Sequence, residues 1–251
     1  MTVVEGTVRH ERAVRENGAG EPIVDGFGTR VVLQPIAAPS LLGLFGFAAA
    51  TFMVGAWMAG WYGSAQSPLY LFPFASMCGG VAQLLAASWA FRARDGVAVV
   101  VHGMWGSFWL GFGILHSLFA TKTLVEPKPE FHELAFWFVV LSAITFSCAL
   151  AALANGNFGF VGVLTALSAG AAFAAVHFLT GDQGWQTLAG WVLVVAAGLA
   201  FYVGTAMMLE AAAGRVVLPL GKAKASANRP GDRVTRAVEL AWGEPGIRQG
   251  Q

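Results

Sequence analysis

The side chains that could do chemistry in this sequence are histidines, amides, hydroxyls and indoles set within long apolar stretches. The clearest case is HGMWGSFWLGFGILH at residues 102–116, which carries four glycines, four large aromatic residues and a histidine at each end. Spacings of four and three place five of its residues on one helical face, namely His102, Gly106, Trp109, Gly113 and His116. Such a face suits close packing against other helices or the wall of a narrow passage.

The chemistry that these groups could support is the binding of a small anion. Moving a bare carboxylate into a low-dielectric interior carries an idealised penalty of about 20 kcal/mol, so an anion pathway needs donors. The apolar stretches contain no Lys or Arg, so the candidate donors are neutral side chains. These are Thr51, Trp57, Gln83, Trp105, Ser107, Trp109 and Asn155. Neutral donors favour a small, weakly held substrate.

Helix N-termini are a second source of donors, because their free N–H groups favour anions. Pro39 is well placed to start the first helix, which would present the N–H groups near Leu41 to Gly43. NGN at 155–157 could present a second such end. The alternative interpretation is that both are ordinary helix starts.

Each of three polar side chains inside the apolar stretches could have one of two roles. Gln83 must find partners in an apolar helix, either on a neighbouring helix or in a passage. His102 and His116 could relay protons near neutral pH, or could simply lie near the two membrane faces.

Sites of other kinds are not indicated. Cys78 and Cys148 fall inside apolar stretches without metal or redox spacing, which predicts burial as small apolar residues. GGVAQLL at 79–85 lacks the Lys, Ser or Thr that a phosphate-binding loop needs. We therefore expect no catalytic residues, no cofactor, no metal and no nucleic-acid partner.

Composition places these residues in a membrane protein, since 56% of the chain is apolar and only 12% is charged. Six apolar stretches approach the length of about 20 residues that crosses a bilayer. They are residues 41–62, 69–91, 97–119, 133–154, 158–180 and 185–210. The sequence predicts an all-α bundle of six transmembrane helices.

Three parts of the chain follow from these spans. Residues 1–38 and 222–251 are predicted to be flexible tails, and 39–221 to be the transmembrane domain. RVTRAVELAW at 233–242 could form an amphipathic helix, although a disordered tail is the simpler reading.

The Lys and Arg residues are distributed unequally between the two sides of the membrane. Thirteen of the 15 lie on the side that carries the two tails, Arg92 and Arg94, and the opposite side carries only Lys122 and Lys128. This predicts a multi-pass protein of the inner or plasma membrane with both termini in the cytoplasm.

Five blocks along residues 38–221 resemble the acetate uptake transporter family, the YaaH-type succinate/acetate permeases. They are SLLGLFGFAAATF at 40–52, GGVAQLLAASWAFR at 79–92, HGMWGSFWL at 102–110, AGW at 189–191 and GRVVLPLG at 214–221. The resemblance implies a six-helix protomer that passes acetate and related short carboxylates and leaves proton coupling open. It also implies that the protomers contact membrane lipid and assemble as a homo-hexamer.

The resemblance also implies a set of pathway residues. Large side chains that pinch the family's passage fall on Phe47, Trp105 and Leu167. The Asn-Pro-x-Pro-Leu-Gly-Leu motif is matched at Pro39, Leu42, Gly43 and Leu44. Together with the polar residues Gln83, Ser107 and Asn155 and with Ala200, these are the substrate-binding candidates. The chain departs from the pattern at Ala38, Leu41, Ala90, Trp105 and Met207, where the family commonly has Asn, Pro, Glu, Tyr and Glu.

Two other classes of protein compete with a transporter. A haem- or quinone-binding membrane protein would use intramembrane histidines, for which His102, His116 and His177 are available. A noncatalytic membrane scaffold would use pairs of small residues such as Ala56 and Gly60 or Ala200 and Gly204. Acetate transport is the function that the sequence favours.

Overall fold

The computed structural model describes residues 36–64, 66–127 and 130–222, and these form a bundle of six long helices. All six are long and apolar enough to cross a membrane. Their bounds are α1 Ser40–Met58, α2 Ser67–Ala93, α3 Gly96–Ala120, α4 His132–Ala154, α5 Phe158–Thr180 and α6 Gln183–Ala213. The predicted all-α, six-span architecture is confirmed. The tails up to residue 35 and from residue 223, including the predicted helix at 233–242, lie outside the described residues.

The helices form a closed ring. Each helix packs against its neighbours in sequence, and α1 also packs against α6, so the first and last helices join. The contact between α3 and α4 is the smallest between sequence neighbours. A ring of this kind encloses an interior into which every helix presents one face.

Local signals set the helix starts and ends. The side chains of Asp95 and Asn157 accept hydrogen bonds from backbone N–H groups in the first turns of α3 and α5. The predicted end of the first span at residue 62 is wrong, because Gly60 takes a left-handed conformation (φ +78°) and ends α1 at Met58. The N–H of Trp61 then bonds the carbonyl of Ala56, which closes the helix end.

Helix α2 is not regular throughout. Residues Ala75–Val81 form a wider π-helical segment just after Pro73, which lacks the N–H that an α-helical bond would need. Gly79 and Gly80 lie in this segment, and side chains of α3 occupy the space that a Cβ at either position would fill. The irregular segment is therefore the place where α2 and α3 approach closely.

Glycines permit other close approaches in the ring. On α3, a Cβ at Gly106 or Gly113 would contact α2, and all five residues of the predicted face are buried, as expected. On α6, a Cβ at Gly190 would overlap the backbone of α1 near Gly55 and Ala59. The glycines of α3 serve helix packing, as the sequence predicted, and Gly190 does the same on α6.

Large apolar side chains cover the outer surface of the ring. Among the most exposed are Phe74, Phe91, Phe136, Phe146, Leu150, Val195 and Phe201. Exposed apolar side chains of this number suit lipid or a partner surface rather than water. The described part of the chain is that of a multi-pass membrane protein.

Candidate functional site

The interior of the ring contains two cavities at opposite ends. The large cavity, of about 910 Å³, is lined by the later halves of α1 and α3, by the early turns of α2, α4 and α6, and by the last turn of α5. The small cavity lies among the early turns of α1, α3 and α5 and holds only about 10 Å³, which is room for one water molecule. The ring is thus open at one end and closed at the other.

Three large buried side chains each line one of the two cavities. Phe47 of α1, Trp105 of α3 and Leu167 of α5 are 3%, 2% and 1% exposed and belong to one apolar cluster. The rings of Phe47 and Trp105 pack edge to face with 6.1 Å between their centroids. Phe47 and Leu167 line the small cavity, and Trp105 lines the large one. The structure brings together the three residues that the resemblance assigned to a constriction.

The orientation of Trp105 is fixed from α4. Its indole N–H donates to the hydroxyl of Thr145 at 3.0 Å, and that hydroxyl donates to the carbonyl of Leu141 at 2.7 Å. Both polar groups are buried, so leaving either without a partner would cost roughly 1–3 kcal/mol. Thr145 was missed in the sequence because its role depends on a contact 40 positions away, which no local pattern reports.

The large cavity is walled mainly by aromatic rings. Phe72, Phe108 and Phe112 form a connected group, and the ring of His116 stacks on Phe72 at 3.9 Å between centroids. His116 and His177 both line this cavity, each with Nδ1 next to a backbone carbonyl oxygen. The wall therefore combines apolar surface with a few polar atoms.

Gln83 and His102 form a buried pair between α2 and α3. The Gln83 amide donates to the carbonyl of Gly79 at 2.7 Å, and its oxygen lies 3.2 Å from Nδ1 of His102. The imidazole lies flat against Gly43, where a Cβ would overlap the ring. His102 is buried in the bundle and lines the small cavity.

The seven candidate donors differ in their exposure and in whether they already have a hydrogen-bond partner. Ser107 and Asn155 are exposed, and Ser107 bonds the carbonyl of Gly103 within its own helix. Trp57 donates to the carbonyl of Ser64, which leaves its indole occupied. Among the described residues, two candidates are buried with no hydrogen-bond partner, Thr51 and Trp109, and both line the large cavity.

The N-terminus of α1 offers fewer free N–H groups than its sequence suggested. The N–H groups of Leu41 and Gly43 donate to the carbonyls of Ala38 and Pro39. Leu42 between them is 48% exposed and lies away from both cavities. Pro39 serves as the residue before the first helical turn.

The N-terminus of α5 is covered by the chain itself. The segment after α6 returns to it, and the N–H of Phe158 donates to the carbonyl of Gly221 at 2.9 Å. The N–H of Phe160 is taken by the side chain of Asn157, and Tyr202 holds the returning segment by donating to the carbonyl of Pro219. GRVVLPLG therefore caps α5, which argues against an anion site at NGN.

The remaining substrate-binding candidates lie inside the bundle. Leu44 lines the small cavity, beside Phe47. Ala200 is fully buried in the main apolar cluster and lines neither of the two cavities. Of these two candidates, only Leu44 borders a cavity.

Comparison with known proteins agrees with this architecture. No curated protein matches the chain. Among solved structures, that of the bacterial acetate channel SatP is similar with a TM-score of 0.67 and 22% identity, and the match covers 74% of this chain and all of that one. This likeness shows that the fold is shared.

The sequence profile of the GPR1/FUN34/yaaH family matches residues 26–222, which confirms the resemblance inferred from the five blocks. The chain belongs to the GPR1/FUN34/yaaH family.

Proposed function

We propose that this protein transports acetate and related short carboxylates across a membrane through the interior of its helix ring. The observation that carries the proposal is the pair of cavities at opposite ends of the ring, one lined by Phe47 and Leu167 and the other by Trp105. Family membership and the likeness to an acetate channel support the choice of substrate.

The physical task of such a path is to move a small anion past an apolar constriction. The large cavity lets a carboxylate approach the middle of the ring while it keeps part of its hydration. At the constriction it must shed water, so a small substrate has the lowest barrier. Passage requires Phe47, Trp105 and Leu167 to move, since the rings of Phe47 and Trp105 are in contact and Leu167 is buried in the same apolar cluster. No bond is made or broken in this process, and we assign no enzymatic role.

Reconstitution tests the proposal directly. Purified protein in liposomes should take up labelled acetate, and imposing a pH gradient at a fixed acetate gradient should distinguish a proton-coupled carrier from a channel. Uptake no faster than in protein-free liposomes would contradict the proposal and favour a scaffold. A Soret absorption band in the purified protein would instead favour a haem-binding function.

We also propose that the large cavity opens to the outside and that both termini are cytoplasmic. The basis is the concentration of Lys and Arg at the other end of the ring, where Arg92 and Arg94 lie. In a variant whose Cys78 and Cys148 are replaced by Ala, a cysteine at Val125 should react with an impermeant thiol reagent added to intact cells. A cysteine at Arg94 should react only after the membrane is opened, and the reverse pattern would overturn this orientation.

A homo-oligomer, specifically a hexamer, is the assembly we propose. The exposed apolar side chains on the outside of the ring can contact neighbouring protomers as well as lipid. Native mass measurement in mild detergent should give six times the chain mass of 26.3 kDa, and a monomer in several detergents would contradict it.

A further inference from the structure

We propose that Thr51 and Trp109 form a carboxylate-binding site on the floor of the large cavity, directly before the constriction. This inference rests on the proposed function and names the side chains that would hold the substrate there. Four buried side-chain polar atoms among the described residues have no hydrogen-bond partner, and they belong to Ser40, Thr51, His102 and Trp109. Of these residues, Thr51 and Trp109 line the large cavity.

Thr51 is unusual among the hydroxyl residues of these helices. Ser and Thr hydroxyls in helices commonly bond the carbonyl three or four residues earlier. Ser88, Ser107, Thr145 and Ser147 all do so. The hydroxyl of Thr51 has no partner among the described residues, although the side chain is only 1% exposed. A buried donor of this kind is costly unless something else satisfies it.

Trp109 presents the second free donor. Its indole N–H is buried without a partner in the described part of the chain, and the residue is 3% exposed. The indoles of Trp57 and Trp105 are both occupied, by the carbonyl of Ser64 and the hydroxyl of Thr145. The indole of Trp109 is held in place by α2, because it fills the space beside Gly79.

The helical register places these two donors at one level. Helices α1 and α3 both begin at the small cavity, and Phe47 meets Trp105 at the constriction. Thr51 and Trp109 each lie four residues further along, which is about 6 Å nearer the large cavity. Both residues line that cavity. One donor-bearing residue from each helix therefore lines the large cavity one turn beyond the constriction.

Two neutral donors match the chemistry of a carboxylate, whose two oxygens accept hydrogen bonds and donate none. Hydrogen bonds to a charged group are about twice as strong as neutral ones, and they offset part of the desolvation of the anion. The pair carries no positive charge, so it can release the anion toward the constriction. Acetate, with a single methyl group to place against the aromatic wall, suits this position.

Replacing either donor should weaken acetate binding without changing the fold. In proteoliposomes, Thr51→Val and Trp109→Phe should each raise the acetate concentration for half-maximal uptake about tenfold, the loss expected for one hydrogen bond to a charged group. Thr51→Ser keeps the hydroxyl and should retain wild-type affinity. Trp57→Phe is the matched control, because it removes an indole N–H from the same cavity that is already bonded.

The outcomes separate this site from the proposed function. If the wild type transports acetate but Thr51→Val and Trp109→Phe leave the acetate concentration for half-maximal uptake unchanged, the donor site is overturned and the proposed function stands. An equal loss in Trp57→Phe would also overturn the site, since cavity polarity in general would then explain the effect. If the wild type shows no acetate uptake, the function fails and the site falls with it.

Discussion

Replacing Trp105 by Ala should raise the ratio of lactate to acetate flux about tenfold, because it removes the largest side chain from the proposed constriction. A tenfold change corresponds to about 1.4 kcal/mol of the barrier, a modest share of what a bulky indole can impose on a larger substrate. Leu167→Val should raise the ratio less, since it removes a single methylene. Both ratios are measured with labelled lactate and acetate in proteoliposomes.

The amount of folded protein must be measured with the flux, because truncating a buried Trp commonly costs roughly 3–5 kcal/mol of stability. Trp137→Ala is the control, since Trp137 lies on the exposed side of α4. It should lower neither the flux nor its selectivity. If well-folded variants at Phe47, Trp105 and Leu167 keep the wild-type ratio of lactate to acetate flux, these side chains only pack the core and do not select the substrate.

Replacing Gly190 by Ala should strongly destabilise the ring. A Cβ at this position would overlap the backbone of α1 at Gly55 and Ala59, and backbone cannot give way as a flexible side chain can. Overpacking of this kind typically costs 1–3 kcal/mol or more. The expected result is a lower melting temperature in detergent, followed by tryptophan fluorescence, and less folded protein in the membrane.

Gly198 provides a control on the same helix. A Cβ there would meet no atom within 4 Å, so Gly198→Ala should gain up to about 1 kcal/mol from helix propensity. Equal effects of the two substitutions, in either direction, would mean that the close contact between α1 and α6 does not exist.

The helices themselves could be predicted closely where local signals are complete. Helix α5 begins after Asn157 and ends at Thr180, as predicted, because Asn157 caps its start and Gly181 takes a left-handed conformation at its end. The end of α1 was misplaced because WMAGWY is apolar throughout, and hydropathy does not register the turn at Gly60. The π segment of α2 was likewise hidden within a continuous apolar run.

The candidate site could be predicted only in part. Periodicity predicted the buried face of α3, and the family pattern supplied the three residues that we propose as the constriction. Which donors remain free could not be predicted, because it depends on partners contributed by other helices. Trp105 and Trp109 are both indoles on one face of α3, yet only Trp105 meets a hydroxyl, which α4 supplies. The closure of α1 onto α6 is equally non-local.

The central claim is that the substrate passes through the interior of the ring, and blocking that interior tests it most directly. In the variant without native cysteines, a cysteine replaces Val54, which is buried on the wall of the large cavity. Modification by a small methanethiosulfonate reagent should abolish acetate uptake in proteoliposomes, and reduction should restore it. The same treatment of a cysteine at Val125, which is 91% exposed, should leave uptake unchanged. Full uptake after complete modification at Val54 would contradict a path through the ring.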